Sequence, residues 1–179
     1  MKTEDKIINQ TISIIDEEGY ENLSLRRLTK ALNLTTGAFY KHFSSKEALF
    51  KQSAQELSKK FIQSVNLSDK DSAETQLLKI AEQLCKEFKL HPKRMKFLFF
   101  NPAINFVYSA QETSQFQFLN KVKTLIRKID ASREQELFIQ IWSFIQGYSY
   151  LISNNIAEYD MNLIKTTLSE LVGRGNQDE

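Results

Sequence analysis

Apolar residues recur at helical spacing along nearly the whole chain, and this periodicity constrains the fold more than any other feature of the sequence. Ile8, Ile12 and Ile15 stand at positions i, i+4 and i+7, which places their side chains on one face of an α-helix. Only five glycines and two prolines interrupt the 179 residues, and no segment alternates as a β-strand would. The sequence therefore predicts an all-α protein of about nine helices.

The sequence shows neither a membrane span nor a secretion signal. No run comes near the roughly 20 apolar residues that a helix needs to cross a bilayer. The segment Met1–Lys6 is polar and lacks the apolar core of a signal peptide. We therefore expect a cytoplasmic protein that does not bind a membrane.

The net charge of +2 conceals an uneven distribution along the chain. Residues 1–21 hold two basic and six acidic side chains, residues 22–60 hold eight and two, and residues 61–179 hold fourteen of each. A short basic segment beside a neutral remainder is typical of a DNA-binding module attached to a body with another task. A solvated, lysine-rich helix surface would have the same composition, so charge alone leaves both interpretations open.

Two short helices are predicted in close succession near the N-terminus. Ser24 and Thr35 are suited to begin them, because a hydroxyl at the N-cap accepts a backbone N–H of the first turn. Asn33 lies between them and tolerates the left-handed backbone that ends a helix. A connection of three or four residues between short helices is typical of a helix-turn-helix unit. Ser44 and Glu47 then form a capping box that begins a long helix.

The residues that carry catalysis in other proteins are scattered here. His42 and His91 are far apart in the sequence, and Cys85 has no basic or histidine neighbour that would activate it. No phosphate-binding loop, zinc-protease motif or nucleophile elbow is present. We therefore expect no enzyme activity, no metal site and no cofactor, and we interpret Cys85 as a small buried hydrophobic residue.

The segment Leu23–Phe50 carries a set of residue types in a characteristic order: Ser24, Leu28-Thr29, Asn33-Leu34, Tyr40-Lys41-His42-Phe43 and Lys46. In this order they resemble the signature of the TetR family of bacterial regulators. Thr29 stands where the family usually has alanine and Asn33 where it usually has glycine, and both are compatible with the fold. The resemblance implies a three-helix, helix-turn-helix DNA-binding domain over residues 1–46 and a helical ligand-sensing and dimerisation domain over residues 47–179.

We predict that DNA is contacted from the start of both short helices and along the second one. Thr35 can present its hydroxyl to phosphate or cap its helix. Gly37 and Ala38 leave the helix thin, so that backbone approaches the floor of the major groove. Tyr40 and Lys46 offer donors to phosphate. The predicted DNA-binding residues are Ser24, Arg26, Arg27, Thr35, Thr36, Gly37, Ala38, Tyr40, Lys41, His42 and Lys46.

The two adjacent arginines are assigned different roles. Arg26 is the candidate for a direct guanine contact through O6 and N7, and Arg27 is the candidate for a phosphate contact. In the TetR family the position that Arg26 matches reaches bases in some members. A solvated surface charge is the alternative for either arginine.

The resemblance also implies a homodimer, because two reading heads about 34–36 Å apart bind one face of DNA. The family dimerises through its last two helices, which here cover about 134–155 and 160–172. The first of these is apolar nearly all round, so it must be covered on two sides, although a central helix of a monomer would look the same. The predicted dimer residues are Phe138, Ile141, Ile145, Tyr148, Ile152, Ile164, Leu168 and Leu171.

Aromatic residues are concentrated in the middle of the chain. They would suit a cavity for a small lipophilic or aromatic effector, because such cavities are mostly apolar with few polar groups. Packed core is the alternative, and the sequence leaves both open. The predicted ligand-binding residues are Phe97, Phe100, Phe106, Tyr108, Phe118, Trp142 and Gln146.

Together these features predict a sequence-specific, DNA-binding transcriptional regulator. The resemblance favours a ligand-responsive repressor that acts as a homodimer on a pseudo-palindromic operator. The alternative is a DNA-binding protein of the same fold that has no small-molecule effector and is controlled by a protein partner or acts architecturally.

Overall fold

The computed structural model describes residues 2–104 and 116–173. Within these ranges the chain forms nine α-helices and no β-strand, which confirms the predicted all-α fold. The helices are α1 (Thr3–Glu18), α2 (Leu25–Ala31), α3 (Thr36–Tyr40), α4 (Lys46–Ser64), α5 (Ala73–Leu90), α6 (Pro92–Phe100), α7 (Gln117–Ile129), α8 (Glu134–Ser153) and α9 (Met161–Gly173). No helix in the described part of the chain is long and apolar enough to cross a membrane.

The ends of the first three helices follow the local signals in the sequence. Gly19 ends α1 with φ 90° and ψ 153°, and its N–H donates to the Ile15 carbonyl at 2.9 Å. The hydroxyls of Ser24 and Thr35 each accept a first-turn N–H, at 3.2 and 3.0 Å. Asn33 adopts the left-handed backbone expected of it, with φ 53°. The predictions for Ser24, Asn33 and Thr35 are confirmed.

The start of α4 lies one residue later than the sequence signal suggested. Ser45, rather than Ser44, caps α4, because its Oγ accepts the Ala48 N–H at 3.1 Å. The N–H of Phe43 still donates to the Phe39 carbonyl at 3.1 Å, so Ser44 directly follows the last turn that continues from α3. The capping box predicted at Ser44 is therefore wrong by one position.

The described chain divides into two compact units. The first unit comprises residues 1–60 and 91–117, and the second comprises residues 61–90 and 118–179. The boundary between them falls inside α4 rather than at its start. The predicted division at residue 46, between a DNA-binding domain and a ligand-sensing and dimerisation domain, concerns function and stays a prediction.

The core of the first unit holds the helix-turn-helix segment in place. Leu28, Phe39 and Phe43 are almost completely buried, and the rings of Phe39 and Phe43 stack at 5.6 Å between centroids. A second cluster joins Phe50 of α4 to Phe97 of α6, with ring centroids 5.2 Å apart. These contacts make α6 part of the same unit as α1, α2 and α3.

Ion pairs in the first unit also connect the acidic end of α1 to α6. Asp16 pairs with Arg94, and the Nδ1 atom of His91 lies 3.4 Å from the same carboxylate. Lys96 donates to Glu21 at 2.7 Å, and this hydrogen bond raises the pKa of Lys96. Burial opposes ionisation of Glu21, but the hydrogen bonds that it accepts outweigh burial and lower its pKa.

The second unit packs α5 against α8 and α9. Its core includes Leu84, Ile141, Ile145 and Ile164, all nearly inaccessible to solvent. Cys85 is buried there with its Sγ 3.6 Å from the Ser149 hydroxyl, and burial raises the pKa of the thiol to about 11. A thiol with so high a pKa is protonated near neutral pH, which agrees with the interpretation of Cys85 as a small core residue.

We expect Gly19→Ala to destabilise the first unit, because its backbone conformation is open almost exclusively to glycine. The expected loss is about 1–3 kcal/mol in the free energy of unfolding. Gly37→Ala is the matched control. Gly37 lies inside α3, and an added Cβ would come no closer than 3.9 Å to another heavy atom outside its neighbours. Alanine there should raise stability by up to about 1 kcal/mol. Urea titration measures the free energy of unfolding of both variants. Equal changes in the two would contradict backbone strain at position 19.

Candidate nucleic-acid interface

The turn between α2 and α3 is fixed by backbone hydrogen bonds. The N–H of Leu34 donates to the Thr29 carbonyl at 2.8 Å, and the left-handed Asn33 reverses the chain just before it. Thr29 is buried, and its hydroxyl is satisfied because it donates to the Leu25 carbonyl at 2.9 Å. A threonine is therefore accommodated at this helix crossing without an unpaired polar group.

Helix α3 turns one face inward and leaves the other free. Phe39 is completely buried, whereas Thr36, Gly37 and Lys41 are exposed and Tyr40 is 52% exposed. Thr36 and Tyr40 are four residues apart, as are Gly37 and Lys41, so each pair lies along the same side of the helix. The structure thus brings these four predicted DNA-binding residues together on one surface, which we call the α3 face.

The remaining predicted DNA-binding residues around α3 differ in their exposure and in their contacts within the chain. The Thr35 hydroxyl accepts the Ala38 N–H, so Thr35 acts as the helix cap. Ala38 is partly buried beneath the surface. His42 follows the helix and is exposed. Gly37 has room for a Cβ, so the fold itself does not require glycine at this position.

The start of α2 places two arginines in different environments. Arg26 is exposed, and its guanidinium has no hydrogen bond or ion pair to another described residue. Arg27 forms an ion pair with Glu18 through both terminal nitrogens of its guanidinium. Ser24 caps α2 and is exposed. Of the two arginines, only Arg26 is free of an internal partner in the described part of the chain.

The Lys46 side chain contacts other residues of the same unit. Its Nζ donates to the Leu23 carbonyl at 2.6 Å and lies 5.1 Å from the centre of the Phe50 ring. Leu23 directly precedes the cap of α2. The sequence predicted Lys46 as a phosphate contact and gave no signal for this bond, because the partners are 23 residues apart.

The residues predicted to bind an effector are divided between the two units. In the first unit Phe97 packs against Phe50 and Tyr20, whereas Phe100 is 37% exposed. In the second unit Phe118 and Trp142 approach each other with ring centroids 5.6 Å apart.

The second unit contains a small apolar cavity beside these two rings. Its volume is about 20 Å³, and its walls come from α5, α7 and α8, with Phe118 and Trp142 among the lining residues. Gln146 is partly buried on α8. Phe106 and Tyr108 lie outside the described residues. The assignment of this set to a ligand stays a prediction.

Most of the residues predicted at a dimer interface are packed inside the second unit. Ile141, Ile145, Tyr148, Ile152, Ile164 and Leu168 are buried, while Phe138 and Leu171 are partly exposed. The Tyr148 hydroxyl donates to the Glu158 carbonyl and accepts the Asp160 N–H, both at 2.7 Å, so it fastens the turn before α9. Apolar residues that the sequence analysis left out are exposed instead on α8, the following turn and α9: Ile139, Tyr150, Leu151, Ile156 and Leu163.

Comparison with known proteins finds similarity to bacterial regulators. Residues 7–52 match the family model of bacterial regulatory proteins of the tetR family. IcaR of Staphylococcus aureus strain Newman, a helix-turn-helix negative transcriptional regulator of the biofilm operon icaADBC, is 35% identical over 51 residues. That alignment covers 28% of this chain and 27% of IcaR, so the match spans about a quarter of the curated relative.

Solved structures share the fold over nearly the full length. The TetR regulator SCO7222 from Streptomyces coelicolor has a TM-score of 0.71 at 14% identity, with 98% of this chain and 97% of that chain covered. The crystal structure of BioQ with its natural double-stranded DNA operator has a TM-score of 0.69 at 14% identity, with 97% and 99% covered. These relatives are named as regulators and not as enzymes. The segment that matches the family model, residues 7–52, contains the whole helix-turn-helix, so this part of the chain is similar to the tetR family of bacterial regulatory proteins.

Proposed function

We propose that this protein is a cytoplasmic transcriptional repressor that binds a pseudo-palindromic DNA operator as a homodimer. The observation that carries the proposal is the α3 face, a thin and exposed surface next to unpaired cations. Repression is supported by the match to IcaR, which is named as a negative regulator and aligns with this chain over 51 residues.

The α3 face has the shape and chemistry for the major groove. The groove is about 12 Å wide and admits an α-helix. Gly37 and Ala38 allow the backbone to approach the base edges, and Thr36 offers a hydroxyl there. Tyr40 and Lys41, with the exposed His42 beyond them, lie where donors to phosphate are needed.

Helix α2 contributes the second part of the proposed interface. Arg26 is available for a bidentate contact to guanine because no described residue occupies its guanidinium. Arg27 would have to exchange Glu18 for a phosphate. Both partners of that pair are partly exposed, and exposed ion pairs contribute only about 0–1 kcal/mol, so the exchange costs little.

The proposed homodimer uses the exposed apolar residues of α8 and α9. On α8 these include Ile139 and Tyr150, and Ser143 and Gly147 lie between them on the same side of the helix. Small residues in the centre of a helix surface let a partner helix approach closely. In the proposed dimer, α8 and α9 of each protomer would bury apolar side chains that face water in the monomer.

The case for a small-molecule effector is carried by the aromatic and apolar lining of the cavity beside Trp142. A volume of about 20 Å³ holds a single water, whereas ligand sites are usually about 300–1,000 Å³. An effector bound at this cavity would therefore have to displace packed side chains. This observation favours a second candidate function, namely a DNA-binding regulator of the same fold without a small-molecule effector.

Selection of duplexes from a random pool tests the proposed function. We expect the wild type to enrich an inverted repeat with half-sites about one helical turn apart. Arg26→Ala should enrich the same repeat with relaxed preference at one base pair in each half, a loss of about 1–3 kcal/mol of discrimination. Lys128→Ala removes the same charge from the exposed side of α7 and should select the wild-type sequence. Enrichment of unrelated sequences by the wild type would refute specific recognition.

Gly37→Ala should change stability and DNA affinity in opposite directions. The added methyl group favours helix α3, but it holds the backbone away from the groove floor. We expect binding to the selected duplex to weaken roughly tenfold, equivalent to about 1.4 kcal/mol. Fluorescence anisotropy with the labelled duplex measures this, and unchanged affinity would show that α3 does not approach the bases at this position.

Ile139→Glu should convert the dimer to a monomer while the fold is retained. The side chain is 54% exposed, so a carboxylate there is tolerated by the protomer but is costly in an apolar interface. Leu90→Glu is the matched control, because Leu90 is 67% exposed in the same unit but lies on α5. Light scattering after size exclusion gives the masses. A dimeric Ile139→Glu, or a Leu90→Glu that dissociates equally, would contradict the assigned surface.

A further inference from the structure

The second unit carries a groove on its surface, where the first two turns of α5 lie against α9. Its volume is about 330 Å³, which falls within the range of about 300–1,000 Å³ that is usual for small-molecule sites. The cavity beside Trp142 has a volume of only about 20 Å³. The groove therefore offers space for a small molecule without displacement of packed side chains.

The floor of the groove is apolar and comes from both helices. Leu77 of α5 and Leu168 of α9 are 2% and 4% exposed, so they form the packed contact at its base. Leu78 and Val172 also line the groove and are only partly buried. An apolar ligand that covers these side chains removes apolar surface from water, which favours binding.

Polar residues in the lining of the groove supply hydrogen-bond donors. Lys165 and Ser169 are exposed on α9, and because they are four residues apart they lie on the same side of that helix. Neither side chain has a hydrogen bond or ion pair to another described residue. On α5 the Thr75 hydroxyl accepts a hydrogen bond from Ser72 at 3.1 Å, which leaves its own hydrogen to donate. Three side-chain donors therefore line the groove.

The charges around the groove favour an anion over a cation. Lys165 contributes a positive charge, and the first turn of α5 contributes the positive end of its helix dipole. Glu74 contributes a negative charge from that same first turn, where the helix dipole already stabilises it. An anionic ligand thus meets two positive features and one negative one, whereas a cationic ligand meets the reverse.

We propose that this groove, which we call the α5–α9 groove, binds a small amphipathic carboxylate. The apolar body of the ligand covers Leu78 and Val172, and its carboxylate accepts hydrogen bonds from Lys165 and Ser169. A carboxylate paired with a lysine forms a charge-assisted hydrogen bond, which is stronger than one between neutral groups. The inference concerns the second unit alone and does not depend on the proposed DNA binding.

Calorimetric titration of the full chain with octanoate, octanol and octylammonium tests both parts of the proposal. These compounds share the apolar chain and differ in the head group. We expect octanoate to bind with one molecule per protomer and about tenfold more tightly than the other two, because only the carboxylate accepts a charge-assisted hydrogen bond. Equal affinity for all three compounds, or no binding of octanoate, would overturn the proposal.

Single substitutions in the groove assign the roles of the charges. Lys165→Met should weaken octanoate binding about tenfold, because it keeps the aliphatic stem and removes the ammonium. Glu74→Gln should strengthen octanoate binding, because the opposing charge is lost. Lys89→Met is the matched control, since it removes the same charge from the exposed last turn of α5 and should leave the affinity unchanged. An equal loss in Lys165→Met and Lys89→Met would contradict a contact to Lys165.

Methyl NMR of the wild-type protein locates the ligand without any substitution. Octanoate should shift the methyl signals of Leu78 and Val172, which line the α5–α9 groove. It should leave the signals of Val122 and Ile145 unchanged, because these residues line the cavity beside Trp142. Shifts at Val122 and Ile145 without shifts at Leu78 and Val172 would place the ligand in the interior and overturn the proposal.

Discussion

Helix α3 has five residues, and a helix of little more than one turn is unstable in water by itself. Its geometry therefore depends on the burial of Phe39 and Phe43, whose stacked rings lie in the core of the first unit. Because Phe39 fixes the rotation of the helix, only one side remains for solvent. The α3 face is a consequence of this anchoring, and a rigid surface is what specific contacts to base edges require.

Some of the cations in the first unit are paired with acidic side chains of the same unit, and others are not. Acidic residues at the end of α1 and just after it pair with cations from two other helices, since Glu18 pairs with Arg27 and Glu21 pairs with Lys96. The net charge of a segment therefore overstates the number of cations that DNA can meet. What distinguishes Arg26 from its neighbours is the absence of a partner among the described residues, and this distinction exists only in the folded chain.

Local signals in the sequence were sufficient where a feature depends on neighbouring residues. Asn33 has the backbone conformation expected of it, because this conformation depends on the residue itself. The start of α4 was misplaced by one residue because Ser44 and Ser45 can both cap a helix, and only the folded chain shows that Ser45 does so. The bond from Lys46 to Leu23 leaves no local pattern, so the sequence predicted the residue without its partner.

Helix α8 shows the same limit in the second unit. It is apolar on two sides, and periodicity cannot tell which side faces its own core. The structure buries Ile141 and Ile145, which the sequence analysis assigned to a dimer interface, and leaves Ile139 and Tyr150 exposed. The assignment itself stays a prediction.

This arrangement bears on how the protein is controlled. The cavity beside Trp142 has a volume of about 20 Å³, so an effector of ordinary size would have to open the packing there before it could bind at that place, and it would act only if the opened state differed at the DNA. The proposed homodimer offers another means of control. Two DNA-binding units joined in one dimer would bind with the second contact at high effective concentration, so the dimerisation equilibrium would set the occupancy of an operator. On this proposal the exposed side of α8 is the surface on which control acts.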